Sequence, residues 1–178
     1  KWPKNPAGYI GLARVSMKSR DWDSALERWK NAIDLFPDNT EVRIGYGNAH
    51  LEKGFFTEAR SIYQNADHSD ESLDGKIGLA RIAMRKRDWL AAAKIWESIL
   101  NLQPKNTDAM TGCINALLNT GQIVEAEKVL SAFLAHRPAD PRAHFSRARV
   151  SHANAQLTLA SDLCNKCISG FPELIEPS

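Results

Sequence analysis

Apolar residues along this chain fall three and four positions apart. Ile10, Ala13 and Met17 make one stripe, and Ala25, Leu26, Trp29 and Ile33 make another. That spacing predicts amphipathic helices, each burying one face. Breaking residues punctuate the stripes. Pro37, Pro104, Pro138 and Pro172 are placed to end helices, because proline lacks an amide proton and clashes with the turn before it. Gly54 and Gly121 mark tight turns between paired helices. The pattern predicts first helices at about 7–19, 40–53, 74–86, 107–119 and 141–154. It predicts second helices at about 22–36, 56–67, 89–102, 123–136 and 157–170. No strand-like alternation competes with this reading.

The helix pairs recur. Gly11-Leu12-Ala13-Arg14-Val15 returns as Gly78-Leu79-Ala80-Arg81-Ile82, Arg20-Asp21-Trp22 as Arg87-Asp88-Trp89, and Trp29 as Trp96, all at an offset of two periods of about 34 residues. A fixed period of this size signals stacked units that bury their apolar faces only against neighbours. Five repeats follow, at 6–39, 40–72, 73–106, 107–140 and 141–172. Together they predict one domain over residues 1–178. The second repeat is one residue short and lacks the closing proline, with Asp67 to Ser72 at that junction.

Each repeat fills the same slots. The second helix carries Ala25, Ala59, Ala92, Ala126 and Ala160. Four places on stand Trp29, Tyr63, Trp96, Leu130 and Cys164, and then Ala32, Ala66, Ile99, Phe133 and Cys167. The first helix carries Ala13, Gly47, Ala80 and Ala148, with Ile114 as the departure, where a different helix crossing is expected. Small residues let helix axes approach, and bulky ones fill the facing hole. This set of slots resembles the tetratricopeptide repeat over nearly the whole chain. The resemblance implies an all-α, right-handed superhelical solenoid of antiparallel helix-turn-helix repeats, with the first helices lining a concave face.

On that face the resemblance places a row of Ile10, Ile44, Ile77, Thr111 and Phe145, and beside it a nearly bare row of Gly11, Gly45, Gly78, Gly112 and Ser146. Next come Arg14, Asn48, Arg81, Asn115 and Arg149, then Met17, Leu51, Met84, Leu118 and His152. An interior glycine costs a helix about 1 kcal/mol against alanine, so a row of them needs a reason such as close approach of another helix. The Arg/Asn row offers donors one repeat apart, which suits the backbone of an extended peptide, and its arginines favour acidic groups. The expected partner-binding residues are Ile10, Arg14, Met17, Ile44, Asn48, Ile77, Arg81, Met84, Asn115, Phe145 and Arg149. A purely structural reading stays open beside it: the glycines would relieve packing between repeats, and Arg14 and Arg81 would pair with Glu41, Glu52, Asp74 or Asp108. The carboxylate clamp of chaperone-binding relatives is absent, since the corresponding places hold Ile10 and Arg14, Gly45, and Asp74 and Gly78.

Composition changes this picture little. A formal net charge of +2 over 178 residues argues for neither a nucleic-acid nor an anionic-membrane partner. No apolar run has the roughly 18 residues a membrane span needs. Three cysteines do not make a disulfide framework, and a cytoplasmic location is the expectation. Cys164-Asn165-Lys166-Cys167 is a CxxC, but both thiols occupy core slots and no second pair completes a zinc site. Trp22, Trp29, Trp89 and Trp96 recur in register and read as core. His144 and His152 match no common ligand spacing, and His50, His68 and His136 read as helix-end or turn residues. No phosphate loop, nucleophile elbow or dinucleotide fingerprint occurs, so no enzyme activity, cofactor or metal is expected. Residues 1–5 match the tail of a preceding repeat and 173–178 are too few for a further one, so the chain is expected to be a segment of a longer, bacterial protein. The leading expectation is a protein-interaction scaffold, with self-association through the end repeats as an addition. The alternative is a substrate-recruiting or oligomerising module of a larger enzyme, such as a bacterial glycosyltransferase or polysaccharide-biosynthesis protein.

Overall fold

The computed structural model describes residues 5–65 and 73–170. Among them lie ten α-helices and no strand. They are α1 (Pro6–Lys18), α2 (Trp22–Leu35), α3 (Thr40–Lys53), α4 (Phe56–Gln64), α5 (Leu73–Arg85), α6 (Trp89–Leu102), α7 (Thr107–Asn119), α8 (Ile123–His136), α9 (Pro141–Ala153) and α10 (Leu157–Gly170). This is the all-α helical-repeat fold expected from the periodicity, with helix bounds within a residue or so of the pattern. One element differs. α4 stops at Gln64, capped by Asn65, short of the expected 67, and the junction at 66–72 with its Ala66, Asp67 and His68 lies outside the described residues. Pro172 and the residues after it also lie outside them.

The starts of the first helices share one chemistry. Asn5, Asn39, Asn106 and Asp140 sit in the extended region, and each side chain accepts an amide proton from the first turn it precedes. Such a cap is worth about 1 kcal/mol. Phe36, Gln103 and Arg137 end α2, α6 and α8 just before Pro37, Pro104 and Pro138, as the constraint that proline places on its predecessor requires.

The hairpin turns come in two kinds. Gly54 and Gly121 take left-handed backbone angles, with φ of 87° and 72°. Arg20, Arg87 and Ala155 occupy the same turn position at φ 58°, a conformation that costs a residue with a Cβ roughly 1–2 kcal/mol. After Arg20 and Arg87 comes an aspartate, Asp21 or Asp88, that caps the second helix and offsets that strain. After Gly54 and Gly121 come Phe55 and Gln122, which make no side-chain cap.

The chain forms two compact units, Lys1–Ile82 and Ala83–Ser178. In the first, α1 packs on α2, α2 on α3 and α3 on α4, around Ile10, Ala13, Ala25, Trp29, Ala32, Val42 and Ala49. A neighbouring cluster joins Leu51, Ala59, Tyr63 and Ile82. In the second, α6 packs on α7, α7 on α8, α8 on α9 and α9 on α10. Its core holds Ala92, Trp96, Ile99, Ala126, Leu130 and Phe133. The recurring alanine of the second helix is buried in all five repeats, and Ile114 is fully buried where its relatives are small.

Candidate functional site

The glycine row is explained by the ring that each glycine faces. A Cβ on Gly45 would fall inside the indole of Trp29, and one on Gly112 inside that of Trp96. On Gly78 it would lie 2.5 Å from Cζ of Tyr63. The Tyr63 ring also crosses Gly47 of its own hairpin, where a Cβ would stand 2.7 Å away. Each ring is thus seated on the first helix that follows it, and glycine is the residue that leaves room. The pair in the same register of the last two repeats is Leu130 and Ser146, both buried. There no ring is present, and a side chain is tolerated.

The Arg/Asn row is engaged within the chain. Arg14 pairs with Glu41 of the next first helix at 2.6 Å. Arg81 donates to Asn48 Oδ1 at 3.3 Å and to Glu52 at 3.1 Å. Tyr63 Oη donates to the same Asn48 oxygen at 2.8 Å. Burial pushes the Tyr63 phenol above its ordinary range, with Arg81 opposing and Glu52 reinforcing the shift, so this hydroxyl is a fixed donor. In the second unit Arg149 donates to Asn115 Oδ1, the same link two helix pairs later. Arg81 and Arg149 therefore hold Asn48 and Asn115, and the pairing of Arg14 and Arg81 with Glu41 and Glu52 follows the structural reading.

Around these groups the first unit opens a hollow of about 590 Å3, lined by Arg14, Met17, Trp29, Thr40, Glu41, Ile44, Gly45, Asn48 and Asp74. Four of the residues expected on the partner-binding face, Arg14, Met17, Ile44 and Asn48, meet here. Trp29, Glu41 and Asp74 were missing from that set. Trp29 reads as core from sequence, and it is only 2% exposed. Its place at the hollow follows from Gly45 lacking a side chain to cover it.

Other expected residues are placed differently. Ile10 is 5% exposed and belongs to the core around Trp29. Ile77 and Met84 are half-buried, as are Asn115 and Arg149, and Phe145 is 53% exposed. A separate polar corner in the second unit surrounds the buried Asp140. Thr107 donates to it at 3.0 Å, and Arg137 reaches both Thr107 at 2.8 Å and Asp140 at 3.3 Å. This corner is not legible in the residue order, because Thr107 lies 30 or more residues from Arg137 and Asp140.

The CxxC departs from expectation. Cys164 is exposed and Cys167 half-buried, so neither is core. In the other repeats that slot is covered by the following first helix, and no described residue does so for α10. Cys113 is the buried thiol, pushed up to about 12 by burial and by Glu97, with Sγ 3.9 Å from the carbonyl of Ala93. Trp29 and Trp96 are buried in the core as the register suggested, whereas Trp22 and Trp89, at the starts of α2 and α6, are only half-buried. Among the described residues, no group of three or more His, Cys, Asp or Glu could hold a metal ion, and no helix is long and apolar enough to cross a membrane.

Comparison with known proteins follows the same lines. Among curated proteins, Protein CTR9 homolog of Arabidopsis thaliana is 25% identical over 109 residues, covering 59% of this chain and 10% of that protein. Trafficking protein particle complex subunit 12 of Homo sapiens is 22% identical over 135 residues, 71% of this chain and 18% of that one. The chain thus spans less than a fifth of the length of the curated relatives it matches. Among solved structures, kinesin light chain nearly identical TPR-like repeats from Podosopora anserina superpose with a TM-score of 0.78 at 17% identity, over 95% of both chains. YrrB, a TPR protein with an unusual peptide-binding site, gives 0.64 at 19% identity, over 95% of this chain and 88% of that one. Identities this low carry the fold alone. Two models described as tetratricopeptide repeat match residues 10–72 and 83–150, between them most of the sequence. The chain belongs to the tetratricopeptide repeat family, whose helical hairpins serve in general as protein-interaction scaffolds.

Proposed function

We propose that this chain holds a segment of another protein against its first helices, with the hollow above Trp29 as the anchoring site. The observation that carries the reading is the convergence of Arg14, Met17, Ile44 and Asn48 on that one hollow. Met17, Ile44 and the Trp29 edge supply apolar walls for a partner side chain. Asn48 supplies direction. Its oxygen already accepts from Tyr63 and Arg81, which leaves the amide protons to donate to a backbone carbonyl of the partner. Asn115 has the same orientation, set by Arg149. In this reading the asparagines are the donors of the ladder and the arginines are its struts.

Charge refines the partner. At the hollow one guanidinium, Arg14, stands with two carboxylates, Glu41 and Asp74, so an acidic residue gains little there. Arg149 is different, because the acceptor it meets is a neutral amide. The hollow of the first unit suits a neutral or basic side chain above Trp29, whereas in the second unit an acidic one would find its counter-charge at Arg149.

Phage selection of random ten-residue peptides on the folded chain tests the proposal. Peptides that bind are expected to lose about fivefold or more in affinity on Asn48→Ala, with helix content unchanged. Arg149→Glu is expected to shift the selected peptides away from acidic residues. Undiminished affinity in the Asn48→Ala variant would move the site off the hollow.

A further inference from the structure

The second residues of four successive first helices form one row: Glu41, Asp74, Asp108 and Arg142. Two of its carboxylates already hold a counter-charge. Glu41 meets Arg14 at 2.6 Å, and Asp108 meets Arg142 at 2.7 Å. Asp74 is the exception, with no hydrogen bond or ion pair among the described residues. It sits in the first turn of α5, where the helix dipole favours a carboxylate. Arg142 at the same place in α9 shows that the row does not require one.

The position of Asp74 gives it a further meaning. It lines the hollow of about 590 Å3 together with Glu41, Met17, Ile44 and Asn48. Arg14 is the one cation there, and its pair with Glu41 is open to water, with the two side chains 66% and 53% exposed. Ion pairs so exposed hold weakly. Met17 and Ile44 are half-buried and offer an apolar wall. A flexible stem that ends in a positive charge matches that combination, because lysine and arginine lay their methylenes on apolar surface and keep the charged head in water.

We propose that this hollow is a pocket for a lysine or arginine side chain of the bound segment, with its stem along Met17 and Ile44 and its charge at Asp74 and Glu41. The inference rests on the reading that a partner segment lies against the first helices, and it adds which residue of that segment is read. A neutral side chain would fill the same walls but bring Asp74 no counter-charge. Arg14 is then a resident competitor, since it already holds at Glu41 a charge of the kind the partner brings.

The tightest of the phage-selected peptides is resynthesised with each lysine or arginine in turn replaced by glutamine, and Kd is read by fluorescence anisotropy. At one basic position the replacement is expected to weaken binding to the unchanged chain about threefold or more, and to change binding to the Asp74→Asn variant by less than about twofold. Arg14→Gln is expected to tighten the unsubstituted peptide by about twofold. Selection repeated on Asp74→Lys is expected to return aspartate or glutamate where the basic residue stood. Asp74 and Glu41 are exposed, so helix content stays unchanged in these variants. The proposal is overturned by selected peptides that share no basic residue, by a basic residue whose loss costs the same in both chains, or by weaker binding on Arg14→Gln. If Asn48→Ala still weakens binding in any of those cases, the partner segment keeps its place and only the basic pocket falls. Undiminished binding on Asn48→Ala, or a selection that returns no peptide, overturns both.

Discussion

Tyr63 and Leu130 stand in the same register of two repeats, and their surroundings differ in kind. Tyr63 is wedged between Gly47 and Gly78, and its hydroxyl reaches Asn48, which Arg81 also meets. Leu130 has no hydroxyl, its register partner is Ser146, and Arg149 reaches Asn115 unaided. The first arrangement gains ring contact and a polar link at the cost of two interior glycines. The second keeps the polar link and spares the glycine. The bulk of the second-helix residue therefore decides how bare the following helix must be. The Arg–Asn link is independent of that choice.

This comparison can be broken most severely at the ring seats. Gly112→Val forces a branched side chain into the Trp96 ring. It is expected to cost about 3 kcal/mol and to lower Tm by roughly 6 °C or more, read by thermal unfolding. Gly112→Ser with Trp96→Leu, which imports the Leu130–Ser146 solution, is expected to recover most of that loss. Failure to recover would mean that the pair does not act as one unit.

Tyr63→Phe isolates the polar half of the first arrangement. The ring stays seated while Asn48 loses one of its two donors, with an expected cost of about 1 kcal/mol by urea titration. The turns sharpen the comparison in the opposite direction. Arg20→Gly and Arg87→Gly relieve a left-handed backbone and are each expected to stabilise by about 1 kcal/mol or less, while Gly54→Arg is expected to do the reverse.

The smallest effect expected is one of pH. Burial holds the His50 imidazole below its ordinary pKa, with Glu58 opposing. Its ring packs edge-on to Tyr46 at 4.5 Å and near Phe55 at 5.9 Å. The folded state therefore binds the proton less readily than the unfolded one. The resulting stability is fully present above about pH 6.5 and falls as pH drops below it. His50→Gln is expected to flatten that part of the profile.

Much of the hairpin architecture is legible in the residue order. The alanines at 25, 59, 92, 126 and 160 announce tight crossings, and every one is buried. The prolines announce helix ends because their effect on the preceding residue is local. Gly54 and Gly121 announce left-handed turns for the same reason, but Arg20, Arg87 and Ala155 give no such sign, since the hairpin around them imposes the angle. Ile10 and Ile44 share a slot by register, yet Ile10 closes into the core and Ile44 lines the hollow. Cys164 takes a core slot by register and is exposed, because a slot is only as buried as the helix laid across it.

Sequence alone determined the helices, their pairing and the period, since these rest on spacings within a few residues and on a pattern repeated five times. Only the tertiary structure decided that Gly45 belongs to Trp29 and Gly112 to Trp96, and that Arg81 and Arg149 brace Asn48 and Asn115. Those are contacts between helices that meet in space, and whether a bare position is a seat or a surface depends on which ring arrives there.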